Sequence, residues 1–403
     1  MTQAKLVFDP FSEDFFNGAY ETYRRMRDEA PVYYSDEHDF YALTRHEDVA
    51  PAFKDFDTYS SKYGVDLHSI RSGLPSDAGA RMIIFMDPPE HRNMRSLLNK
   101  VFTPRAIQAQ SENATHKIEK YLSRVDRDGF DAVQEFTAPF PVEVITAMLG
   151  VPEDEAQQVR HWIDESLHRE IGQVEMGEQA LQAGAETAMF YFDLVQKRRA
   201  DPQDDLFTKL IEAEIEREDG EKDKLDDLEI AAFATLLGAA GAETVTKLVG
   251  NAVYLFAKNP DQWQKLREDR SKVPAAVEEL LRYEAPSQYN VRRSMCDVHL
   301  HGTTIPEGSP VFLIGGSANR DERAWTDADA FDIDRDRTEA QNLGLGYGIH
   351  SCLGAALARL ESTIALEKLL DFMPRFEVDF DNCTRVQMQN VVGWKNVPVK
   401  VLK

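Results

Sequence analysis

The feature that most restricts how this chain can fold is a glycine-rich segment that leads into a cysteine and then into a long amphipathic pattern. Gly344, Gly346 and Gly348 alternate with other residues in segment 342–354, and Cys352 follows them. Because glycine has no Cβ atom, such a segment can bend tightly or lie close to something flat. Leucine and isoleucine then recur at helical spacing, which predicts a half-buried helix of about five turns. With Cys352 at its start, the free N–H groups and the helix dipole favour a thiolate over a thiol.

Four roles for Cys352 are compatible with this pattern. It can be a small buried core residue. A zinc site is a poorer match, because His350 and Cys352 are only two ligands and no second pair such as CxxC occurs. A nucleophile needs a nearby base, for which His350 is the only local candidate. The fourth role is that of a single axial thiolate ligand of heme iron, with the glycine segment passing under the porphyrin.

A second constraint is the segment 226–258, which is predicted to form one long helix. At about 1.5 Å per residue it would span most of a domain, so we expect a central and largely buried element. Its stretch 230–242 is apolar on all sides but too short for a membrane span. Glu243 and Thr244 follow, an acid beside a hydroxyl, which suits a buried helix poorly unless these side chains have a function. The alternative is that Thr244 only donates a hydrogen bond to a carbonyl one turn earlier.

The remaining patterns predict a mainly helical protein with a smaller strand-rich region. In chain order they are a helix over 18–30, a hairpin of 32–34 and 40–43, a long loop over 60–82, a helix that opens at 87–91, mostly helical residues over 106–225, a short helix over 273–283, strands around 298–300 and 311–313, and strands and turns from 376 onwards.

Charge and cysteine content exclude several classes of function. The net charge of −24 argues against a nucleic acid or an anionic membrane as the main partner. Three widely spaced cysteines indicate a reducing compartment without a disulfide framework. The first 16 residues contain no apolar run long enough for a signal peptide or an anchor helix. We therefore predict a cytoplasmic protein with no membrane anchor and no nucleic-acid partner.

The segment LGYGIHSCLG, residues 345–354, resembles the cysteine-ligand loop of the cytochrome P-450 family of heme-thiolate monooxygenases. Leu345 departs from the pattern, since the family usually has Phe there. The resemblance covers nearly the whole chain and fits the soluble, bacterial members. It implies a single domain, residues 1–403, mainly α with a smaller β region. In that triangular cytochrome P-450 fold, heme b (iron protoporphyrin IX) lies between the long central helix and the cysteine-led helix.

The resemblance also implies roles for particular residues. The stretch 240–244, AGAET, is similar to the family's oxygen-activation motif, in which an acid and an alcohol, here Glu243 and Thr244, relay protons. Glu279 and Arg282 resemble a buried ExxR pair that Arg335 would join, although their spacing is equally that of a surface salt bridge. Cys352 would be the metal ligand. The other implied heme-binding residues are His91, Arg95, Arg292, His350, Gly346 and Gly354, of which His91 and Arg95 by themselves are equally a solvated pair.

The resemblance implies hydroxylation of a C–H bond by O2 in a medium to large lipophilic molecule, such as a terpenoid, steroid, fatty acid or polyketide. The chain has no flavin or iron–sulfur motif, so a ferredoxin or flavodoxin with its reductase would supply electrons to a monomer. We expect that partner to dock on a basic patch of Lys100, Arg105, His350 and Arg359. A peroxide-driven peroxygenase and a non-catalytic heme-binding sensor are the alternatives. The expected pocket residues are Phe85, Phe233, Leu236, Leu237, Ala240, Val291 and Val392.

Overall fold

The computed structural model describes residues 5–75, 81–216 and 220–403, and only the backbone of Val101. Within these residues most of the secondary structure is helical, as the sequence predicts. Short 3-10 or π turns occur at Ile83–Phe85, Ala132–Thr137, Arg270–Lys272, Gly348–His350 and Phe380–Asn382. The α-helices are α1 (Glu13–Phe16), α2 (Tyr20–Glu29), α3 (His46–Ala52), α4 (Leu67–Ser72), α5 (Glu90–Val101), α6 (Pro104–Gln108), α7 (Ser111–Leu122), α8 (Pro139–Leu149), α9 (Ala156–Leu167), α10 (Glu178–Ala200), α11 (Leu206–Glu212), α12 (Asp227–Lys258), α13 (Pro260–Glu268), α14 (Val273–Tyr283), α15 (Gly315–Ala318) and α16 (Ala355–Phe372).

The strands form a smaller region beside the helices. The largest sheet has the order β1-β2-β10-β7-β3, in which β10 runs parallel to β2 and antiparallel to β7. The strands are β1 (Val32–Ser35), β2 (Phe40–Leu43), β3 (Tyr59–Ser60), β4 (Phe130–Asp131), β5 (Glu214–Glu216), β6 (Lys222–Lys224), β7 (Asn290–Ser294), β8 (Val298–Leu300), β9 (Thr303–Ile305), β10 (Pro310–Leu313), β11 (Phe376–Val378), β12 (Thr384–Arg385), β13 (Trp394–Asn396) and β14 (Pro398–Val401).

Helix α12 is the central element, and α8, α10 and α16 pack against it. It begins with a capping box. The Asp226 carboxylate accepts the N–H of Glu229 at 2.8 Å, and the Glu229 carboxylate accepts the N–H of Asp226 at 2.9 Å. Among the described residues α12 is the one helix whose length and composition would suit a membrane span, but 61% of that apolar window is buried inside the protein. The prediction of a long core helix is confirmed.

Two local predictions need correction. The loop expected over 60–82 contains α4, which Asp66 caps by accepting the N–H of Ser69 and which Gly73 ends with φ +67°. Residues 76–80 of that loop lie outside the described residues. The helical region expected over 106–225 is interrupted by β4 and by the hairpin of β5 and β6. The predicted hairpin of β1 and β2 is confirmed, with Val32 opposite Leu43.

The glycines before Cys352 are required by close contacts between backbones. A Cβ atom on Gly344 would lie 2.1 Å from the Leu281 carbonyl oxygen. One on Gly348, whose φ is +75°, would lie 2.5 Å from the Phe53 carbonyl oxygen. Any other residue at these positions would push the segment away from its two neighbours. The glycines therefore fix where Cys352 lies relative to α14 and α3.

Candidate active site

Two adjoining cavities, of about 210 and 270 Å³, lie between α12 and the cysteine segment, and we call them together the inner cavity. Both are lined by the Cys352 sulfur-bearing side chain, by Thr244 of α12 and by Leu345. The walls are mostly apolar, so water gains few hydrogen bonds there and a lipophilic group is favoured. Other lining residues include Ile84, Phe102, Ile145, Phe233, Leu236, Leu237, Ala240, Val245, Leu248, Leu281, Gly346 and Gly354.

Cys352 is accessible from the inner cavity and is fixed through its backbone, because its N–H donates to the Leu345 carbonyl at 2.8 Å. Burial raises the pKa of its thiol, although the Gly354 N–H and the charges of Arg95 and Arg359 act in the opposite direction. The expectation that the helix terminus alone favours a thiolate is wrong, since α16 begins only at Ala355. A thiolate at this position needs a cation bound against it.

Three basic side chains face the inner cavity and form no ion pair with a carboxylate of the described residues. His91 and Arg95 lie on α5, and Arg292 lies on β7. The His91 Nε2 is buried and has no hydrogen-bond partner in the described part of the chain. Burial, with a smaller effect of Arg95, lowers the pKa of His91 to about 4, and burial lowers that of Arg292 to about 10. These groups are suited to bind carboxylates of a molecule inside the cavity.

His350 also lines the inner cavity, and this contradicts its predicted place in a basic surface patch. Its ring centroid lies 4.4 Å from that of His91, and its Nε2 lies 3.2 Å from the Ser61 hydroxyl oxygen. Burial first, and then the charge of Arg292, lowers the pKa of His350 to about 2. The imidazole is therefore neutral at physiological pH and contributes no positive charge to the surface.

The remaining members of the predicted basic patch differ in their surroundings. Lys100 and Arg105 are exposed and form no ion pair with any described residue. Arg359 instead pairs with Glu278 of α14, with 3.2 Å between Nη2 and Oε2. Helix α6, which carries Arg105, packs against α16. Of the four residues of the predicted patch, Lys100 and Arg105 are thus the two whose charge is unpaired among the described residues.

Thr244 and Glu243 are neighbours on α12 but point in different directions. The Thr244 hydroxyl donates to the Ala240 carbonyl at 2.7 Å and faces the inner cavity. Glu243 lies behind this wall, where its Oε2 is 3.0 Å from the Lys247 ammonium nitrogen. Sequence analysis missed Lys247, although its position four residues after Glu243 on a helix is the spacing of an ion pair.

Asp164 of α9 lies beside Glu243 and pairs with Arg160 at 3.0 Å. Burial and the adjacent Glu243 raise the pKa of Asp164 to about 8. Burial alone would raise the pKa of Glu243, but the Lys247 charge and the hydrogen bonds from Asp164 and Lys247 lower it. Asp164 is therefore the carboxyl group of the two that holds a proton more tightly.

A further acid missed by sequence analysis is Glu361 of α16. It lines the inner cavity, yet its side chain is 1% exposed and its Oε2 has no hydrogen-bond partner among the described residues. Burial raises its pKa well above the ordinary value, which favours the protonated form of this carboxyl group. The sequence does contain a signal for this residue. Glu361 lies four residues after Leu357 and three before Ile364, on the helix face that these two apolar residues define.

Four of the seven predicted pocket residues line the inner cavity, and three do not. Phe85 lines a separate groove beside Arg81 and Glu90. Val291 faces the opposite side of β7 from Arg292, because successive strand residues alternate in direction. Val392 is fully buried in the core cluster near the N-terminus and lines neither the inner cavity nor the cavity on the Val291 side of β7. The four that do line it are Phe233, Leu236, Leu237 and Ala240.

Val291 belongs to the wall of a third cavity, of about 290 Å³, which we call the outer cavity. Its walls come from α4, from residues 169–176, from the start of α10 and from β7 and β10. Tyr289 lines both the outer and the inner cavity. The two spaces are therefore neighbours on either side of one residue.

Glu279, Arg282 and Arg335 form a buried network behind the cysteine segment. Arg282 Nη2 lies 2.8 Å and Arg335 Nε lies 3.3 Å from Glu279 Oε1. Arg282 also donates to the carbonyls of Asn319 and Ala328, both at 2.8 Å. These bonds join α14 to the segment that precedes Gly344, and the arrangement is that of a scaffold, away from the inner cavity.

Comparison with known proteins gives one family over the length of the chain. The sequence model described as Cytochrome P450 matches residues 11–402. A putative cytochrome P450 123 from Mycobacterium tuberculosis is 41% identical over 399 residues, 98% of this chain and 97% of that protein. The structure of CYP109E1 from Bacillus megaterium in complex with corticosterone has a TM-score of 0.82 and 30% identity, covering 95% of this chain and 98% of the other. The open cytochrome P450 Eryk from S. erythraea has a TM-score of 0.85 and 32% identity, covering 96% of each chain.

Proposed function

The chain belongs to the cytochrome P450 family, whose members bind heme, and we propose that it is a monooxygenase that hydroxylates a C–H bond of a medium to large lipophilic molecule. The observation that carries this proposal is the inner cavity itself. A cysteine sulfur on one wall and a threonine hydroxyl on α12 face the same apolar space. That pair is what O2 activation on a thiolate-ligated heme requires of the protein.

The inner cavity fits heme b. One thiol faces it, its walls are largely apolar, and His91, Arg95 and Arg292 offer N–H donors that no described carboxylate uses. Cys352 would bind the iron, and the three basic side chains would bind the two propionates. His350, Gly346 and Gly354 are part of the same wall. Bound heme supplies the activation of O2, and a thiolate ligand favours cleavage of its oxygen–oxygen bond.

Thr244, Glu243 and Asp164 would deliver protons to the inner cavity. The Thr244 hydroxyl hydrogen is donated to a backbone carbonyl, so its oxygen can accept a hydrogen bond from the cavity side. Asp164 holds a proton at neutral pH and its side chain is 35% exposed, so it exchanges that proton with water. Rotation of the Glu243 side chain away from Lys247 would pass the proton towards Thr244.

The substrate is a lipophilic molecule because Phe233, Leu236, Leu237 and Ala240 line the space next to Thr244. Corticosterone bound to CYP109E1, a protein of the same fold, supports a ligand of steroid size. Terpenoids, fatty acids and polyketides have similar surfaces. Closing these walls around a substrate would also exclude water from the reacting atoms.

Electrons would come from a ferredoxin or flavodoxin with its reductase. Lys100 and Arg105 supply positive charge that no described carboxylate pairs, and Arg105 lies on α6, which packs against α16, so an acidic partner can dock there. We further propose that the protein acts in the cytoplasm as a single-domain monomer.

The proposal is tested by titrating the ferric protein with terpenoids, steroids, fatty acids and polyketides while recording its heme absorption. A substrate that displaces water from the iron changes the spin state, and a saturable change followed by a hydroxylated product is the expected result. The proposal is wrong if the purified protein has no heme absorption. It is also wrong if bound ligands are never oxidised in the presence of O2 and reductant.

A further inference from the structure

The outer cavity contains a buried arginine that forms no ion pair with any carboxylate of the described residues. Arg169, in the segment between α9 and α10, is 7% exposed and lines this cavity. No carboxylate oxygen lies within 4.0 Å of its guanidinium in residues 5–75, 81–216 and 220–403. Buried charges in proteins are ordinarily paired, because an isolated charge is costly to remove from water. Arg169 is therefore a candidate for a ligand that brings the missing anion.

The hydrogen bonds of Arg169 leave one side of its guanidinium open. Nη1 donates to the carbonyls of Ser166 at 3.1 Å and His168 at 2.7 Å, and Nη2 donates to the Gln389 side-chain oxygen at 3.1 Å. An arginine has five N–H donors, so Nε–H and one Nη2–H have no acceptor among the described residues. These two donors are available to the oxygens of a carboxylate.

The other charged groups on this wall do not replace such a ligand. The Asp66 carboxylate accepts the backbone N–H of Ser69 at 2.9 Å and its hydroxyl at 2.7 Å, and it caps α4. Glu175 pairs with His68 at 3.0 Å, and both side chains are mostly exposed. The Asp66 charge also acts on Arg169, but the two groups form no ion pair, so the free N–H donors of Arg169 remain the groups that an anion can contact.

The rest of the outer cavity suits a lipophilic body. Phe11, Leu67, Val291 and Phe312 contribute apolar walls, and all four are buried. At its rim, Met176 and Leu181 are 38% and 57% exposed, which is unusual for large apolar side chains that have no ligand to cover. A molecule with an apolar body and one anionic end matches this distribution.

The open end of Arg169 and the inner cavity are connected through one short segment. Arg169 N–H donates to the Gln387 carbonyl at 2.9 Å, and the Tyr289 hydroxyl donates to the Gln389 carbonyl at 3.1 Å. Tyr289 lines both cavities. Tyr289 therefore stands between the two cavities, and a ligand whose acidic end lies at Arg169 reaches the inner cavity by passing this side chain.

We propose that the substrate of this enzyme is a lipophilic carboxylic acid, and that Arg169 binds its carboxylate in the outer cavity while the apolar body extends towards Cys352. This inference rests on the proposed monooxygenase function and narrows its substrate class. Arg169 is a specificity-determining residue here, since it lies in the outer cavity and not beside Thr244 or Cys352.

The test uses the heme-loaded protein and straight-chain acids of eight to sixteen carbons, each compared with the primary alcohol of the same length. Binding is measured by calorimetry and by the heme absorption change. We expect the wild-type protein to bind the best acid about tenfold or more tightly than its alcohol, the range of a charge-assisted hydrogen bond. In Arg169→Gln the acid and the alcohol should bind equally well, with the affinity for the alcohol unchanged. Arg169→Lys should keep part of the preference for the acid.

Arg267→Gln is the matched control, because it removes an exposed arginine on α13 and should leave the ratio unchanged. Equal binding of acids and alcohols by the wild-type protein would overturn the inference, as would an acid preference that survives in Arg169→Gln. Failure of every acid to bind while neutral lipophiles bind would also overturn it and leave the proposed function intact. Absence of heme absorption from the wild-type protein would instead overturn the proposed function.

Discussion

Single polar residues next to the inner cavity are of two kinds, those that face it and those that lie behind it. Thr244 faces it, whereas Glu243 is turned towards Lys247 and Asp164. The hydrogen bond from Thr244 to Ala240 alone would make the threonine a helix-packing residue. The position of its hydroxyl on the cavity wall is what separates a chemical role from that structural one.

Thr244→Ala should uncouple oxygen consumption from hydroxylation, because the cavity loses the hydroxyl that passes on protons. We expect a several-fold larger share of the electrons to appear as peroxide, measured together with the hydroxylated product. Thr235→Ala is the control, since Thr235 makes the same bond to Ala231 at 2.9 Å on the same helix. Unchanged coupling in Thr244→Ala would contradict a role of this hydroxyl in proton delivery, whereas a wild-type protein that forms no hydroxylated product would favour the heme-binding sensor.

The Asp164 carboxyl predicts a pH dependence of stability. Its pKa is about 8 in the folded protein, well above that of an unfolded aspartate, so the folded state binds the proton more tightly. The resulting stabilisation is complete below about pH 4 and is lost as the pH rises towards about 8. The melting temperature of the wild type should therefore fall relative to that of Asp164→Asn as the pH rises over that range. A difference that does not vary with pH would contradict the raised pKa of Asp164.

Among the secondary-structure elements, α14 is the one that holds the cysteine segment from behind. The Glu279 carboxylate accepts hydrogen bonds from two arginines inside the protein. The preceding residue, Glu278, forms an ion pair with the partly exposed Arg359. Neighbouring glutamates on one helix thus carry a buried network and a surface pair. The two should differ greatly in their effect on stability.

Glu279→Ala should lower the free energy of unfolding by about 3–5 kcal/mol, because it leaves Arg282 as a buried charge without its partner. Glu278→Ala should cost about 1 kcal/mol or less, as exposed pairs do. Urea unfolding of both variants measures the difference. Similar losses in the two variants would show that the Glu279 network is not the element that fixes this part of the fold.

Helices α5 and α6 carry the charges proposed to dock the electron donor. Lys100→Glu with Arg105→Glu should slow reduction of the protein by an acidic ferredoxin by about tenfold at low salt. The effect should shrink as ionic strength rises, since salt screens exposed charges. Arg267→Glu on α13 provides the control for a change of charge alone. An equal rate for the double variant and the wild type, by stopped-flow absorption, would place the docking surface elsewhere.

For the whole molecule, sequence patterns predicted what is set by local spacing and missed what is set by contacts between distant segments. The capped helix α12, helix α16 and the hairpin of β1 and β2 follow from periodicity, caps and turn residues. The contact of Asp164 with Glu243 and the pairing of Arg359 with Glu278 join separate helices, so no spacing in the sequence encodes them. Val291 was misplaced because the direction of a strand side chain depends on which face the sheet covers.

The central claim is that Cys352 ligates heme iron in the inner cavity, and the carbon monoxide complex of the reduced protein tests it most directly. The wild-type protein should show the long-wavelength absorption band of a thiolate ligand. Cys352→Ser should lose that band, whereas Cys296→Ser and Cys383→Ser should keep it. A thiolate-type band that persists in Cys352→Ser, or a heme-loaded wild-type protein that lacks the band, would contradict the account.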